Sequence, residues 1–173
     1  MNEVTDAVTL KGDPVSLLGK SPDLGDEAPD FVAVANDLSP VRLSDFRGRT
    51  VLIASVPSLD TPVCDVETRR FNNELGTLGR DVVALTISMD LPFAQKRWCG
   101  AAGVQNVRTL SDHRDAAFGR AYGVLMKGLR LLARAVFIVD GGGRIRYKQV
   151  VGEITSEPDY DEALSALKKL LRA

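Results

Sequence analysis

Histidine is nearly missing from this chain of 173 residues, which holds one, and cysteine is scarce at two. Two cysteines far apart in sequence and one histidine do not supply the paired ligand spacings of a zinc site. His113 lies in Ser111-Asp112-His113-Arg114, a polar stretch between a predicted strand and a predicted helix, and reads as a solvated loop residue. Neither sign of charge is in excess: 22 Lys and Arg stand against 23 Asp and Glu, for a net charge of −1. That balance leaves no electrostatic footprint for nucleic acid or an anionic membrane. No apolar run approaches the length of a membrane span. Met1 to Asp6 has neither the basic head nor the apolar stretch of a signal peptide, so a cytoplasmic protein is expected. In that compartment two cysteines serve redox chemistry more often than they staple a fold. Internal repeats and low-complexity tracts are absent too, and the length suits one domain with a substantial core.

What is present is organised around Pro57-Ser58-Leu59-Asp60-Thr61-Pro62-Val63-Cys64. Behind it, Val51 to Val56 reads as a short buried strand; ahead, Asp65 to Leu75 repeats its apolar residues at helical spacing. A loop therefore leaves a strand and enters a helix. Thr61 is a good N-cap and Pro62 a good first helical residue, since proline lacks the N–H that would go unpaired there. Cys64 then falls in the first turn, where free N–H groups and the helix dipole favour an anion and a thiol gives up its proton more readily. Asp60, Asp65 and Glu67 oppose this, because like charges disfavour a thiolate. A cation from elsewhere in the fold is needed. Without one, a cysteine at a helix start reads as a small core residue.

The remaining elements are ordinary. Val8 to Lys11 and Val15 to Leu18 read as a hairpin turning at Gly12-Asp13-Pro14, an appendage spanning about residues 7–18. Strands are expected at 30–35, 41–43, 81–88 and 106–110, and the strand–helix–strand unit around Cys64 should be parallel and right-handed. Pro92 opens a helix expected to end near Cys99, where Gly100 and Gly103 can leave helical geometry. A short helix should run over 116–122. Ala135 to Val139 and Ile145 to Val150 read as a hairpin around Asp140-Gly141-Gly142-Gly143, with no phosphate-loop pattern following the glycines. Pro158 to Leu171 carries one apolar face.

The octet fits the peroxiredoxin pattern Pro-x-x-x-Thr-x-x-Cys through Pro57, Thr61 and Cys64, and other segments agree. They are Val8-Thr9-Leu10-Lys11-Gly12, Gly25 to Phe31, Asp90-Leu91-Pro92-Phe93-Ala94-Gln95, Trp98-Cys99-Gly100-Ala101, Ala133-Arg134-Ala135-Val136 and Glu157 to Asp161. Together they resemble the bacterial thiol peroxidases, which are atypical two-cysteine peroxiredoxins, over nearly the whole chain. The resemblance implies a thioredoxin-like α/β fold of the peroxiredoxin type with an N-terminal β-hairpin. It implies Cys64 as the sulfur that attacks peroxide, Cys99 as the partner that resolves the sulfenic acid into an intrachain disulfide, and Arg134 as the cation at the sulfur. Thr61 would direct its hydroxyl at sulfur or peroxide, and Pro57 would help shape and shield the site. Hydrogen peroxide and alkyl hydroperoxides are the implied substrates and thioredoxin the reductant. A homodimer is expected, and no metal, haem, flavin or nicotinamide is needed by the peroxidase itself.

Each residue also has a plainer reading. Arg134 can be an edge arginine at a strand start, and Cys99 a cysteine packed beneath a helix end. Leu125, Met126, Leu129, Leu131 and Leu132 read either as the lining of an alkyl-accepting site or as an ordinary apolar loop and strand. A redox-sensing binding protein is the rival function. A disulfide oxidoreductase would carry Cys-x-x-Cys, which is absent.

Overall fold

A computed structural model describes residues 2–172. Its centre is a seven-stranded mixed sheet. In chain order the strands are β1 (Glu3–Leu10), β2 (Asp13–Leu18), β3 (Val32–Val34), β4 (Pro40–Arg42), β5 (Thr50–Ser55), β6 (Val82–Ser88), β7 (Arg108–Ser111), β8 (Leu125–Met126), β9 (Ala135–Val139) and β10 (Ile145–Val150). The helices are α1 (Pro62–Leu75), α2 (Pro92–Ala102), α3 (Ala117–Ala121) and α4 (Tyr160–Leu171). The central sheet runs β10-β9-β5-β6-β7-β3-β4, and β1, β2 and β8 form a second, three-stranded sheet.

The apolar run read as an internal strand is β5, which pairs in parallel with β6 and antiparallel with β9. Strands paired on both sides and covered on both faces need apolar residues at every position, and Val51 to Ala54 are all at most 2% exposed. One face packs on α1, α2 and α4, with Leu52, Ala54, Phe71, Leu75, Ile138 and Leu167 in one cluster. The other face carries Ile53, Phe118, Tyr122 and Phe137 together with the hairpin residues Val8 and Leu17. This is the expected thioredoxin-like arrangement. No helix among the described residues is long and apolar enough to cross a membrane.

Two local expectations are corrected. The N-terminal hairpin is longer, beginning at Glu3, and its turn is the pair Lys11-Gly12, both with positive φ (52° and 86°). Two such residues twist with the strands they join, as two-residue hairpins require. The helix expected to end near Cys99 continues to Ala102, and Gly100 stays helical. Gly103, at φ 66°, closes it by returning its N–H to the Cys99 carbonyl, the left-handed stop for which glycine carries no Cβ penalty. Leu125, Met126 and Leu132 lie in the core, Leu131 packs partly buried against it, and Leu129 is exposed.

Candidate active site

Cys64 is the third residue of α1, as its spacing from Thr61 and Pro62 requires, and it is fully buried. It clusters with Val56 and Leu59, and Trp98 packs against that cluster. The loop that delivers it is pinned by one carboxylate. Asp90 accepts hydrogen bonds from the Ser58 hydroxyl (2.7 Å), the Leu59 N–H (2.8 Å) and the Ser88 hydroxyl (2.7 Å). Pro57 is buried at the start of this loop, where a residue without an N–H leaves no donor unpaired.

Thr61 occupies the N-cap position but does not cap with its side chain. Its hydroxyl donates to the Ser58 carbonyl at 2.9 Å, while its own carbonyl accepts the first helical bond from Asp65. The single hydroxyl proton is thereby committed, and the oxygen lone pairs are left to accept.

The cation is Arg134, 2% exposed and next to β9. Strand register explains its reach. β9 runs antiparallel to β5 with Ala135 opposite Ser55, so Arg134 sits beyond the end of β5, where the chain turns toward α1. Its Nη2 donates to Cys64 Sγ at 3.3 Å. Nε and Nη2 both donate to the Ile154 carbonyl (3.1 and 3.0 Å), and Nη1 donates to Glu67 Oε2. Burial alone would lower the guanidinium, but the charges of Glu67 and Cys64 outweigh it and raise Arg134 further.

Glu67 has a partner that the sequence alone does not reveal. By sequence it stands with Asp60 and Asp65 as a charge opposing ionisation of Cys64. In the fold Glu67 is completely buried and paired with Arg134. Asp65 is engaged by the Trp98 indole N–H (2.8 Å) and by Arg69 (2.9 Å), and Asp60 is exposed. Burial pushes the Glu67 carboxyl up to about 7, against the opposing pull of Arg134, and its Oε1 has no hydrogen-bond partner. A signal for this existed in the spacing. Cys64, Glu67, Thr68, Phe71 and Leu75 are the buried stripe of α1, and a carboxylate in such a stripe needs a buried partner.

Cys99 stands apart from this group. Both cysteines are free thiols, and Cys99 is half-buried in the last turns of α2. Its Sγ lies 3.3 Å from Thr109 Oγ1, and Thr109 donates onward to Asn36 Oδ1 at 3.0 Å. The one Thr109 proton goes to Asn36, so the Cys99 S–H is the donor to Thr109. Its neighbour Trp98 packs against the cluster that holds Cys64. The fold thus gathers Pro57, Thr61, Cys64 and Arg134 at one end of β5 and holds Cys99 on a different face of α2. His113 sits half-buried in the loop between β7 and α3, its N–H on the Ser111 hydroxyl.

A buried sulfur at a helix N-terminus, a permanent cation against it and a hydroxyl one turn earlier can stabilise a thiolate and orient a small oxidant. Comparison with known proteins points the same way. The family described as Redoxin matches residues 23–164. A thiol peroxidase from Oceanobacillus iheyensis is 56% identical over 94% of this chain and 98% of its own length. One from Halalkalibacterium halodurans is 53% identical over 95% and 99%. Among solved structures, a peroxiredoxin-like protein from Aquifex aeolicus superposes with a TM-score of 0.89 at 45% identity, covering 95% of this chain and 97% of that one.

Proposed function

The chain belongs to the Redoxin family, among the thiol peroxidases, and on that footing we propose that Cys64 reduces peroxides with Cys99 as its resolving partner. The observation that carries this reading is the 3.3 Å contact from Arg134 Nη2 to the buried Cys64 sulfur at the start of α1. A fixed positive charge in a site of low dielectric stabilises an anion far more than it would in water.

The Cys64 thiolate attacks one oxygen of the peroxide along the O–O axis. The S–O bond forms as the O–O bond breaks, the sulfur is oxidised to a sulfenic acid, and the leaving oxygen takes up a proton as water or an alcohol. A guanidinium has five N–H donors, and the bonds to Glu67, Cys64 and the Ile154 carbonyl engage four of them. The remaining Nη1 hydrogen is available to the departing oxygen. Thr61, its own proton given to Ser58, accepts from the attacked peroxide O–H. The Cys99 thiol then condenses with the sulfenic acid, giving a disulfide and expelling water. A dithiol protein, thioredoxin by family resemblance, reduces that disulfide by exchange.

A disulfide needs its two Cα atoms within about 7 Å and suitably aimed Cβ vectors. The separate bonding of Cys99 to Thr109 and of Trp98 to Asp65 therefore makes local opening part of this cycle. Hydrogen peroxide and alkyl hydroperoxides are the substrates in this reading, the cytoplasm its setting and a homodimer its assembly. Exposed Leu91 and Phe93 at the start of α2 are apolar surface that such a pairing would cover. Stopped-flow consumption of hydrogen peroxide and of cumene hydroperoxide, with thioredoxin, its reductase and NADPH, tests the scheme. Turnover should vanish in Cys64→Ser and stop after one oxidation in Cys99→Ser. Steady turnover by either variant at the parent rate would overturn it.

A further inference from the structure

The first residues of the chain reach the reactive sulfur through a short run of hydrogen bonds. At the tip of the β1–β2 hairpin, the Gly12 N–H (2.8 Å) and the Lys11 N–H (3.3 Å) point at the Glu153 carboxylate, and the Thr9 hydroxyl joins them at 3.0 Å. From the other side the Thr155 N–H (2.8 Å) and hydroxyl (2.7 Å) donate to the same group. Successive N–H groups of a turn with left-handed residues form a concavity suited to an anion. Here the anion is a side chain from the loop after β10. With donors from Thr155 and Gly12 around it, the Glu153 carboxyl is held down to about 2, so it stays charged throughout the physiological range.

The residue after Glu153 is the one that orients the arginine. Ile154 gives its N–H to the Thr9 carbonyl (2.8 Å) and its own carbonyl to Arg134 Nε and Nη2. The Thr9 N–H bonds Gly152 (2.7 Å), and the Val151 N–H bonds the Arg134 carbonyl (2.9 Å). The 151–155 loop is therefore fastened on one side to the hairpin and on the other to Arg134. Glu67 holds only one corner of the guanidinium fork through Nη1; the Ile154 carbonyl sets the edge from which Nη2 reaches sulfur.

We infer that Glu153 and the hairpin tip it clasps are positioning elements for Arg134, acting through the Ile154 carbonyl on the peroxide-reducing step. This rests on the reading of Arg134 as the cation at the reactive sulfur. The hairpin is on this account a buttress of the active site, acting through Ile154 and Arg134.

The test is a double-mutant cycle on Glu153→Gln and Arg134→Ala, read as the rate of single-turnover oxidation of reduced protein by hydrogen peroxide. Glutamine keeps the size of the side chain but places an NH2 group against donors on one side of the clasp. Glu153→Gln alone should slow oxidation by about tenfold, the scale of a sub-ångström displacement of a reacting group. In the Arg134→Ala background the same change should have no further effect, because the group it positions is gone. A merely structural role for Glu153 would slow both backgrounds alike. Thr9→Val, which removes one donor of the clasp and leaves the backbone intact, should act in the same direction with a smaller slowing. Equal slowing in both backgrounds, or a parent-like rate in Glu153→Gln, would overturn the inference. A parent-like rate in Arg134→Ala would instead bring down the reading on which it rests.

Discussion

Replacing Glu67 by glutamine should change how stability depends on pH more than how much stability there is. The carboxyl has an ordinary value of 4.5 and is pushed by burial to about 7. Between those two values the folded protein keeps a proton that the unfolded chain has released. Stability from this group is therefore fully present below pH 4.5 and is lost as pH rises through about 7. At roughly 1.4 kcal/mol per pH unit, the loss comes to about 2–3 kcal/mol between pH 5 and pH 8. Glutamine has no proton to release, and its oxygen can still accept from Arg134 Nη1, at a cost of about 1 kcal/mol for exchanging a charged acceptor for a neutral one. The variant should then have a flatter pH–stability curve and be the more stable protein at pH 8. Urea unfolding followed by the fluorescence of Trp98, the only tryptophan, measures both curves. A shared Cys64→Ser background removes the neighbouring sulfur from both proteins. The buried Asp112 carboxyl, also raised by burial, is common to both proteins and cancels in the comparison. Parallel curves would refute the reasoning, because they would mean that Glu67 does not change protonation in this window. The same titration bears on chemistry. As Glu67 ionises it draws on the positive charge that Arg134 offers to Cys64, so an inflection near pH 7 in the oxidation rate should be missing from Glu67→Gln.

Thr61→Val should slow the peroxide step by about a hundredfold, the scale of losing a positioned proton acceptor, whereas Thr61→Ser should keep most of the rate; single-turnover oxidation separates the two. Hydrogen exchange on the reduced and disulfide forms should show lower protection on oxidation around Thr61–Cys64 and around Trp98–Gly100. The Asp65–Trp98 bond joins the residues beside the two cysteines and is expected to part as the proposed disulfide forms; equal protection in both forms would count against the opening. The Glu153 clasp on the hairpin should persist at any pH above 4.5 and let go only as pH falls toward about 2, because a carboxyl held low contributes above its unfolded value and is lost through its folded one. Amide shifts of Lys11 and Gly12 followed through an acid titration report it, and a release centred near pH 4.5 would contradict the structure.

Much of the site's local geometry could be read directly from the residues. Thr61-Pro62 starts a helix by backbone rules that need no tertiary partner, and from there the position of Cys64 in the first turn is only counting. The stripe at Cys64, Thr68, Phe71 and Leu75 follows from helical periodicity, and the internal character of β5 and β6 follows from unbroken apolar runs. Arg134 stood out as a charge at the head of an apolar strand, but its role came from resemblance to a known family, since nothing local says what such a side chain meets.

What the chain could not disclose by itself depends on pairing between distant segments. The alignment of Ala135 with Ser55 decides that Arg134 lies beside Cys64. Only then does Glu67 meet Arg134 and become the partner of the cation at the sulfur. Thr61, free to cap its helix by local rules, gives its hydroxyl to Ser58. Asp90 holds that loop from the end of β6, and Cys99 turns toward Thr109 because α2 lies along β7. Local sequence fixes backbone preference and periodicity, which act over a few residues. The charge balance at the sulfur, the parking of the second thiol and the reach of the hairpin to Arg134 are set by strand register and helix packing, and these come into being only when the whole sheet is assembled.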